Sequence, residues 1–204
     1  YEDFKINLDN IDSLNMRFKT DELNMYGKAV LAQVENKIEN LSGNIFIDKP
    51  DNKSGKENYP QYPIFKSKQK SYVYYDKLFN GPYKRENFYF ELDTFRMDSL
   101  DNFVPENLKF KGTFYSADIF PPFEETLVLR EDNSLGLIKE TPESGLPLYE
   151  GKGTYYNTID MSNKGLKGQG RLTYLTSEAF TDDILFFPDS TSIHANKFNV
   201  AQQT

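Results

Sequence analysis

The 204-residue chain has no cysteine, no tryptophan and a single histidine. Without cysteine there is no disulfide, no thiolate nucleophile, no iron–sulfur ligation and no Cys-type zinc site. One histidine forbids a multi-histidine metal centre and leaves His194 as the sole candidate for histidine general-base catalysis. Long apolar runs are missing too. The longest are as short as Ile184–Phe187 and Ala29–Ala32, against the roughly 20 residues that a membrane-spanning helix needs, so no membrane insertion of this segment is expected. Positive charge is outweighed: 24 Lys plus Arg against 31 Asp plus Glu give a formal charge of −7, which disfavours nucleic acid and anionic lipid as partners. The sequence starts at Tyr1 without an initiator Met or signal peptide, and the expectation is a mature chain or an excised fragment with its targeting information removed or elsewhere.

What the chain does have is 14 Tyr, 17 Phe and frequent Asn, a mix that favours pleated strands and turns. A chain of this length buries about 70% of its unfolded surface in a compact fold. No stretch reads as an interdomain linker, so residues 1–204 are expected to form a single β-rich unit. Two segments resemble each other: Phe4-Lys-Ile-Asn-Leu-Asp-Asn-Ile-Asp-Ser-Leu14 and Phe88-Tyr-Phe-Glu-Leu-Asp-Thr-Phe-Arg-Met-Asp-Ser-Leu100. In each, alternate apolar residues (Phe4, Ile6, Leu8; Phe88, Phe90, Leu92) line one face of a strand. Each is followed by an apolar-x-Gly step that opens a new alternation, at Leu41-Ser-Gly43 and Phe110-Lys-Gly112. A degenerate internal repeat over 4–14 and 88–100 is the simplest account.

Leu23, Tyr26, Val30, Val34, Ile38 and Leu41 fall at three- and four-residue spacings and predict one amphipathic helix over about 21–41, packed on a sheet. Residues 48–70 read as loop, with Pro60 and Pro63 keeping the following segment extended. Ser71–Asp76 reads as a strand. Hairpins are predicted over 125–138, turning at Glu131–Ser134, and over 151–175, turning at Ser162–Gly165 with Gly165 in the left-handed conformation. The expected fold is mainly β: antiparallel hairpins forming a sandwich or a solenoid-like stack of sheets, with that one helix.

The glycines of Gly151-Lys-Gly153 and Gly168-Gln-Gly170 invite a phosphate-loop reading, but the third glycine is missing and strand-like sequence follows in place of a helix start. His194 lies in an alternating stretch and reads as an ordinary strand histidine. There is no Gly-x-Ser-x-Gly elbow to present a nucleophilic serine. Glu124 and Glu125, or Asp182 and Asp183, are sequence neighbours on strands and form no ready-made acid/base pair, although carboxylates distant in sequence can meet in a fold. Asp48, Asp51 and Asn52 are hard oxygen donors, but their spacing is that of a turn and not of an EF-hand. No metal or cofactor is expected. The stretch 49–75 interleaves lysines with Tyr59, Tyr62, Phe65, Tyr72, Tyr74 and Tyr75. Basic residues beside stackable rings suit single-stranded nucleic acid or a sugar chain; the negative net charge counts against the first, and Tyr59, Tyr62, Tyr72 and Tyr74 are the candidate carbohydrate-binding residues. The plainer reading is alternate tyrosines in a core with lysines guarding an exposed edge.

Ile47-Asp-Lys-Pro-Asp-Asn-Lys-Ser-Gly55, the run from Tyr62-Pro-Ile-Phe-Lys to Ser71-Tyr-Val-Tyr-Tyr-Asp76, and Asp182-Asp-Ile-Leu-Phe-Phe-Pro-Asp-Ser190 resemble segments of the very large, repetitive envelope or surface proteins of Bacteroidota, a likeness that extends from about Leu41 onward. The resemblance implies a periplasmic or cell-surface piece of a longer protein, contacting neighbouring domains of that chain or another envelope protein, and it carries over no site residues. A non-enzymatic structural or interaction module is the leading expectation, a carbohydrate-binding module with a tyrosine-rich face the alternative, and a glycan-acting hydrolase the third.

Overall fold

Side-chain alternation sets the architecture. In the computed structural model, which describes residues 36, 38–47, 64–98, 106, 108–194 and 196–200 and the strand backbones at 4–8, 16–19 and 24–27, the chain is mainly β. Every strand pair is antiparallel. One sheet has four strands in the order β1 (Phe4–Leu8), β5 (Gly43–Ile47), β6 (Ile64–Ser67), β9 (Arg96–Met97), and β2 (Met16–Lys19) pairs with β3 (Asn24–Gly27) in a separate ribbon. The large sheet has twelve strands. From one edge it runs β17 (Thr191–Ile193), β16 (Ser177–Phe186), β15 (Gly165–Tyr174), β14 (Gly153–Ser162), β12 (Leu135–Glu140) and β11 (Phe123–Leu129). It continues through β10 (Lys109–Ser116), β8 (Phe88–Leu92) and β7 (Ser71–Tyr74) to β4 (Ile38–Glu39), with β13 (Leu146–Leu148) beside β14 and β18 (Lys197–Val200) beside β16.

So many twisted strands do not stay flat, and the large sheet curls into a half-barrel. The expected sandwich or solenoid-like stack gives way to this curl, with the four-stranded sheet joining its core. Phe88, Phe90 and Leu92 of β8 and Phe110 and Phe114 of β10 point inward and are fully buried, while Tyr89, Glu91, Lys111 and Tyr115 point outward. Across the curl, Tyr83 stacks on Phe88 at 4.1 Å and on Phe187 at 5.8 Å, and Phe120 meets Tyr155 and Phe186. Phe95 lies against both Phe65 (5.7 Å) and Phe110 (4.8 Å), joining the small sheet to the large one. Polar clamps complete the closure. The buried Tyr75 hydroxyl donates to Leu135 O at 2.8 Å, and the Asn36 amide both donates to Leu135 O (3.1 Å) and accepts from Leu135 N–H (2.7 Å), pairing with it as a strand would.

Both predicted hairpins are present. β11 and β12 turn over 130–134, where Arg130 N–H bonds Ser134 O. β14 and β15 pair along their whole length and turn at Ser162–Gly165, with Gly165 at φ +91°. The helix expected over 21–41 is not found: no α-helix occurs among the described residues, Asn24–Gly27 is β3, Ile38–Glu39 is β4, Asn36, Asn40 and Leu41 are non-helical, and residues 21–23, 28–35 and 37 lie outside the described residues. Asn24 and Gly27 are weak helix formers, and the backbone pairing of 24–27 with 16–19 takes precedence over the three- and four-residue spacing. Ile38 and Leu41 are nevertheless buried, as an apolar stripe would require. Within the loop expected over 48–70, Ile64–Ser67 is β6, a strand continuing the extended segment that follows Pro63. Residues 48–63 lie outside the described residues.

The two similar segments occupy equivalent places. Leu8 pairs with Gly43 and Phe4 with Ile47; Leu92 pairs with Gly112 and Phe88 with Ser116. A third strand follows each in the same register, with Gly43 and Ile45 opposite Ser67 and Phe65, and Gly112 and Phe114 opposite Glu125 and Phe123. An aromatic ring lies over each glycine, Phe65 over Gly43 and Phe90 over Gly112, where a Cβ would overlap it. Among the described residues no helix is long and apolar enough to cross a membrane.

Candidate functional site

The inner face of the half-barrel runs out of core at one end. Tyr155, Leu172, Ala179 and Phe198 are successive cross-strand partners on β14, β15, β16 and β18, and their exposure is 0%, 6%, 3% and then 61%. Beside Ala179, whose small side chain leaves the space open, lies a hollow of about 500 Å³ with Leu148, Leu172, Ile193 and Phe198 in its lining. The loop 187–190 closes one side. It is held by the Tyr149 hydroxyl, which lies 2.9 Å from Phe187 O, 2.7 Å from Ser190 O and within reach of the Thr191 hydroxyl. Burial lifts the Tyr149 hydroxyl above its usual pKa, opposed by the bond to Thr191. Tyr174 meets the Tyr149 ring edge-on at 6.4 Å, and Lys152 and Asp189 stand on the rim. All four residues of β18 are exposed, and Leu175, 77% exposed, projects from the neighbouring turn. With much of its polar rim engaged by the protein itself and its floor apolar, the hollow suits an apolar side chain or a short extended segment.

A second feature lies on the outer face. Tyr72 and Tyr74 of β7, Tyr89 of β8 and Tyr115 of β10 form one aromatic ladder. Tyr72 stacks on Tyr74 (6.0 Å) and meets Tyr89 edge-on (5.8 Å), and Tyr89 stacks on Tyr115 at 4.8 Å. The Arg85 guanidinium sits 3.7 Å over the Tyr74 ring and pairs with Glu39, while Lys70 pairs with Glu91. Burial raises the Tyr74 and Tyr89 hydroxyls above their usual pKa. Of the four tyrosines singled out in the sequence, Tyr72 and Tyr74 are thus brought together, and Tyr59 and Tyr62 lie outside the described residues. Tyr89 and Tyr115 are the missed members. Their i, i+2 outward positions are legible, but the register that aligns them with Tyr72 and Tyr74 is not.

His194 follows β17 and is almost wholly exposed, its Nδ1 3.4 Å from Asp183 Oδ2. Asp183 also faces Lys167, and Asp182 accepts from Asn196, so these two carboxylates are engaged locally. Glu125 pairs with Lys139. The fold does bring two distant carboxylates, Asp118 and Glu150, to the lining of one shallow depression of about 270 Å³. Both are exposed turn residues at positive φ. The calcium-like loop at Asp48 lies outside the described residues. Compared with known proteins, the chain matches no family model, no curated sequence and no solved structure.

Proposed function

We propose that this chain is a non-enzymatic structural or interaction module of a larger, envelope-associated protein, periplasmic or cell-surface, and that it contacts a neighbouring domain of that protein at the open end of its large sheet. The observation that carries the reading is the abrupt rise in exposure at Phe198, on an inner face that is otherwise core. A strand laid beside β18 would pair with its free edge and seat an apolar side chain in the hollow. The envelope assignment rests on the resemblance of 47–55, 62–76 and 182–190, and the matched register of the two similar segments supports a repetitive build. The test is a photo-crosslinking amino acid placed at Phe198, at Leu175 and, as a control, at the outward Lys109 of the longer protein in its own cells. Crosslinks from the first two positions should converge on one neighbouring segment. Yields no higher than at Lys109 would remove the reading, and convergence on a separate envelope protein would replace the neighbouring domain by that partner.

A second reading, a carbohydrate-binding module, is favoured by the outer ladder. Tyr72 and Tyr74, with Tyr89 and Tyr115, offer stackable rings beside Glu91, Lys70 and Arg85. A glycan array is the test: binding lost in Tyr72→Ala and Tyr115→Ala supports it, and an array with no signal at high protein concentration eliminates it.

A further inference from the structure

The large sheet is distorted at one place that neither reading uses. Asn157 has φ +84° and its cross-strand partner Gly170 φ +155°. On the next strand, the β15–β16 ladder shifts between Gly168 and Gly170, so Asp182 and Asp183 together oppose Gln169. A non-glycine residue at positive φ is strained, and such strain and bulges concentrate where a fold aims side chains at a ligand. Here the bulge opens a depression of about 480 Å³ on the outer face.

Two cross-strand rows border it. In the first, Tyr156, Arg171, Phe180 and Lys197 are successive partners on β14, β15, β16 and β18. Rings and cations alternate along this row, with the Arg171 guanidinium 3.8 Å over Tyr156 and Lys197 Nζ 5.9 Å from the exposed Phe180 ring. In the second, Thr158 pairs with Gln169, and both Gln169 (3.5 Å) and Asn196 (3.1 Å) donate to the Asp182 carboxylate. Arg171 is balanced by Glu178 at 3.1 Å, so the surface offers planar hydrogen-bonding groups without a large excess of either charge. An apolar ring face beside forked amide and carboxylate groups is complementary to a pyranose, which has apolar C–H faces and pairs of hydroxyls at its edge. Three strand spacings make the row about 14 Å long, more than one sugar ring occupies.

We propose that this bulged depression, with Phe180 as stacking residue and Gln169, Asp182 and Asn196 as hydroxyl partners, binds a neutral oligosaccharide chain lying across β14, β15 and β16. The site is separate from the tyrosine ladder and independent of the open end. The experiment is titration of the ¹⁵N-labelled protein with soluble neutral hexasaccharides (cellohexaose, mannohexaose and maltohexaose) at millimolar concentration, read by backbone and side-chain amide shifts. At least one should give saturable shifts at Gln169, Asn196 and Phe180. Phe180→Ala and the near-isosteric Asp182→Asn should each weaken that binding by about tenfold or more, and Tyr72→Ala should leave it unchanged. Absence of saturable shifts with all three sugars, shifts confined to the ladder of Tyr72 and Tyr74, or unaltered affinity in folded Phe180→Ala and Asp182→Asn would each overturn the proposal.

Discussion

Tyr83 ties the two flanks of the half-barrel together with one hydroxyl. It is fully buried, donates to Phe186 O at 2.8 Å and accepts from Leu166 N–H at 3.3 Å. Burial pushes the hydroxyl up to about 12, against the pull of the Leu166 bond, so it remains a neutral donor at physiological pH. Tyr83→Phe keeps the ring stack and removes only these bonds, and should cost about 1–2 kcal/mol, read as a lower urea midpoint at unchanged slope. An unshifted midpoint would mean that water replaces both bonds. Asp132 governs acid stability at the β11–β12 turn. Burial pushes its carboxyl up, but bonds from the Ser134 hydroxyl and N–H, from Ser162 and from Asn163 N–H outweigh that and hold it below the usual value. A carboxyl lowered in the folded state contributes stability that is complete above its unfolded value of about 4 and is lost as pH falls through the folded one. Asp132→Asn should therefore lower stability at neutral pH and flatten its acid dependence, whereas parallel stability–pH curves for variant and parent would contradict this. Gly112 is constrained by packing: a Cβ there would overlap Glu91 O and the Phe90 ring, so Gly112→Ala should destabilise by about 1–3 kcal/mol in the same melts.

Among the elements, stability should follow ladder length and burial. β14 and β15 share ten consecutive pairs in the middle of the sheet, whereas β18 is a four-residue, fully exposed edge and β4 has only two residues. Amide hydrogen exchange should be slowest at the centre of the β14–β15 hairpin and fastest at β18 and β4; protection of β18 equal to that of β15 would show that this edge is already covered in solution. What was legible in the sequence belongs to this scale. Phe88, Phe90 and Leu92 announce a strand because period two is visible without knowing any partner, and Asn163-Lys164-Gly165 announces its turn because only a left-handed residue closes it. The three- and four-residue spacing from Leu23 to Leu41 hides β3 and β4, because scattered apolar residues can satisfy a helical period without forming a helix. The ladder was half legible: Tyr72 and Tyr74 share one strand, but Tyr89 and Tyr115 join them only through pairings of β7 with β8 and β8 with β10. The bulge at Gln169 was illegible, because it exists only in the relation between β15 and β16.

For the whole molecule, curling and incompleteness are linked. Each strand added to a twisted sheet turns the inner face further round the core, and the core fills as long as large side chains face one another, as Phe88, Phe114, Tyr155 and Phe186 do. Where β16 pairs with β18 the inward residue is Ala179, and beyond it Phe198 lies largely in water, so this end of the half-barrel has unfilled apolar surface. Strand order decides this outcome, and no local pattern reveals it: Ala179 and Phe198 look unremarkable until β18 is seen to lie on the far side of β16. If the hollow is an accessible binding surface, a larger side chain at 179 should fill it without disturbing the sheet, since the added atoms enter space and not packed core. Ala179→Leu should therefore keep the circular-dichroism spectrum and the melting midpoint, and abolish most of the fluorescence that 1-anilinonaphthalene-8-sulfonate acquires on the native protein. Undiminished dye binding in a folded Ala179→Leu variant would place the exposed apolar surface elsewhere, and the contact assigned to the open end of the sheet would move with it.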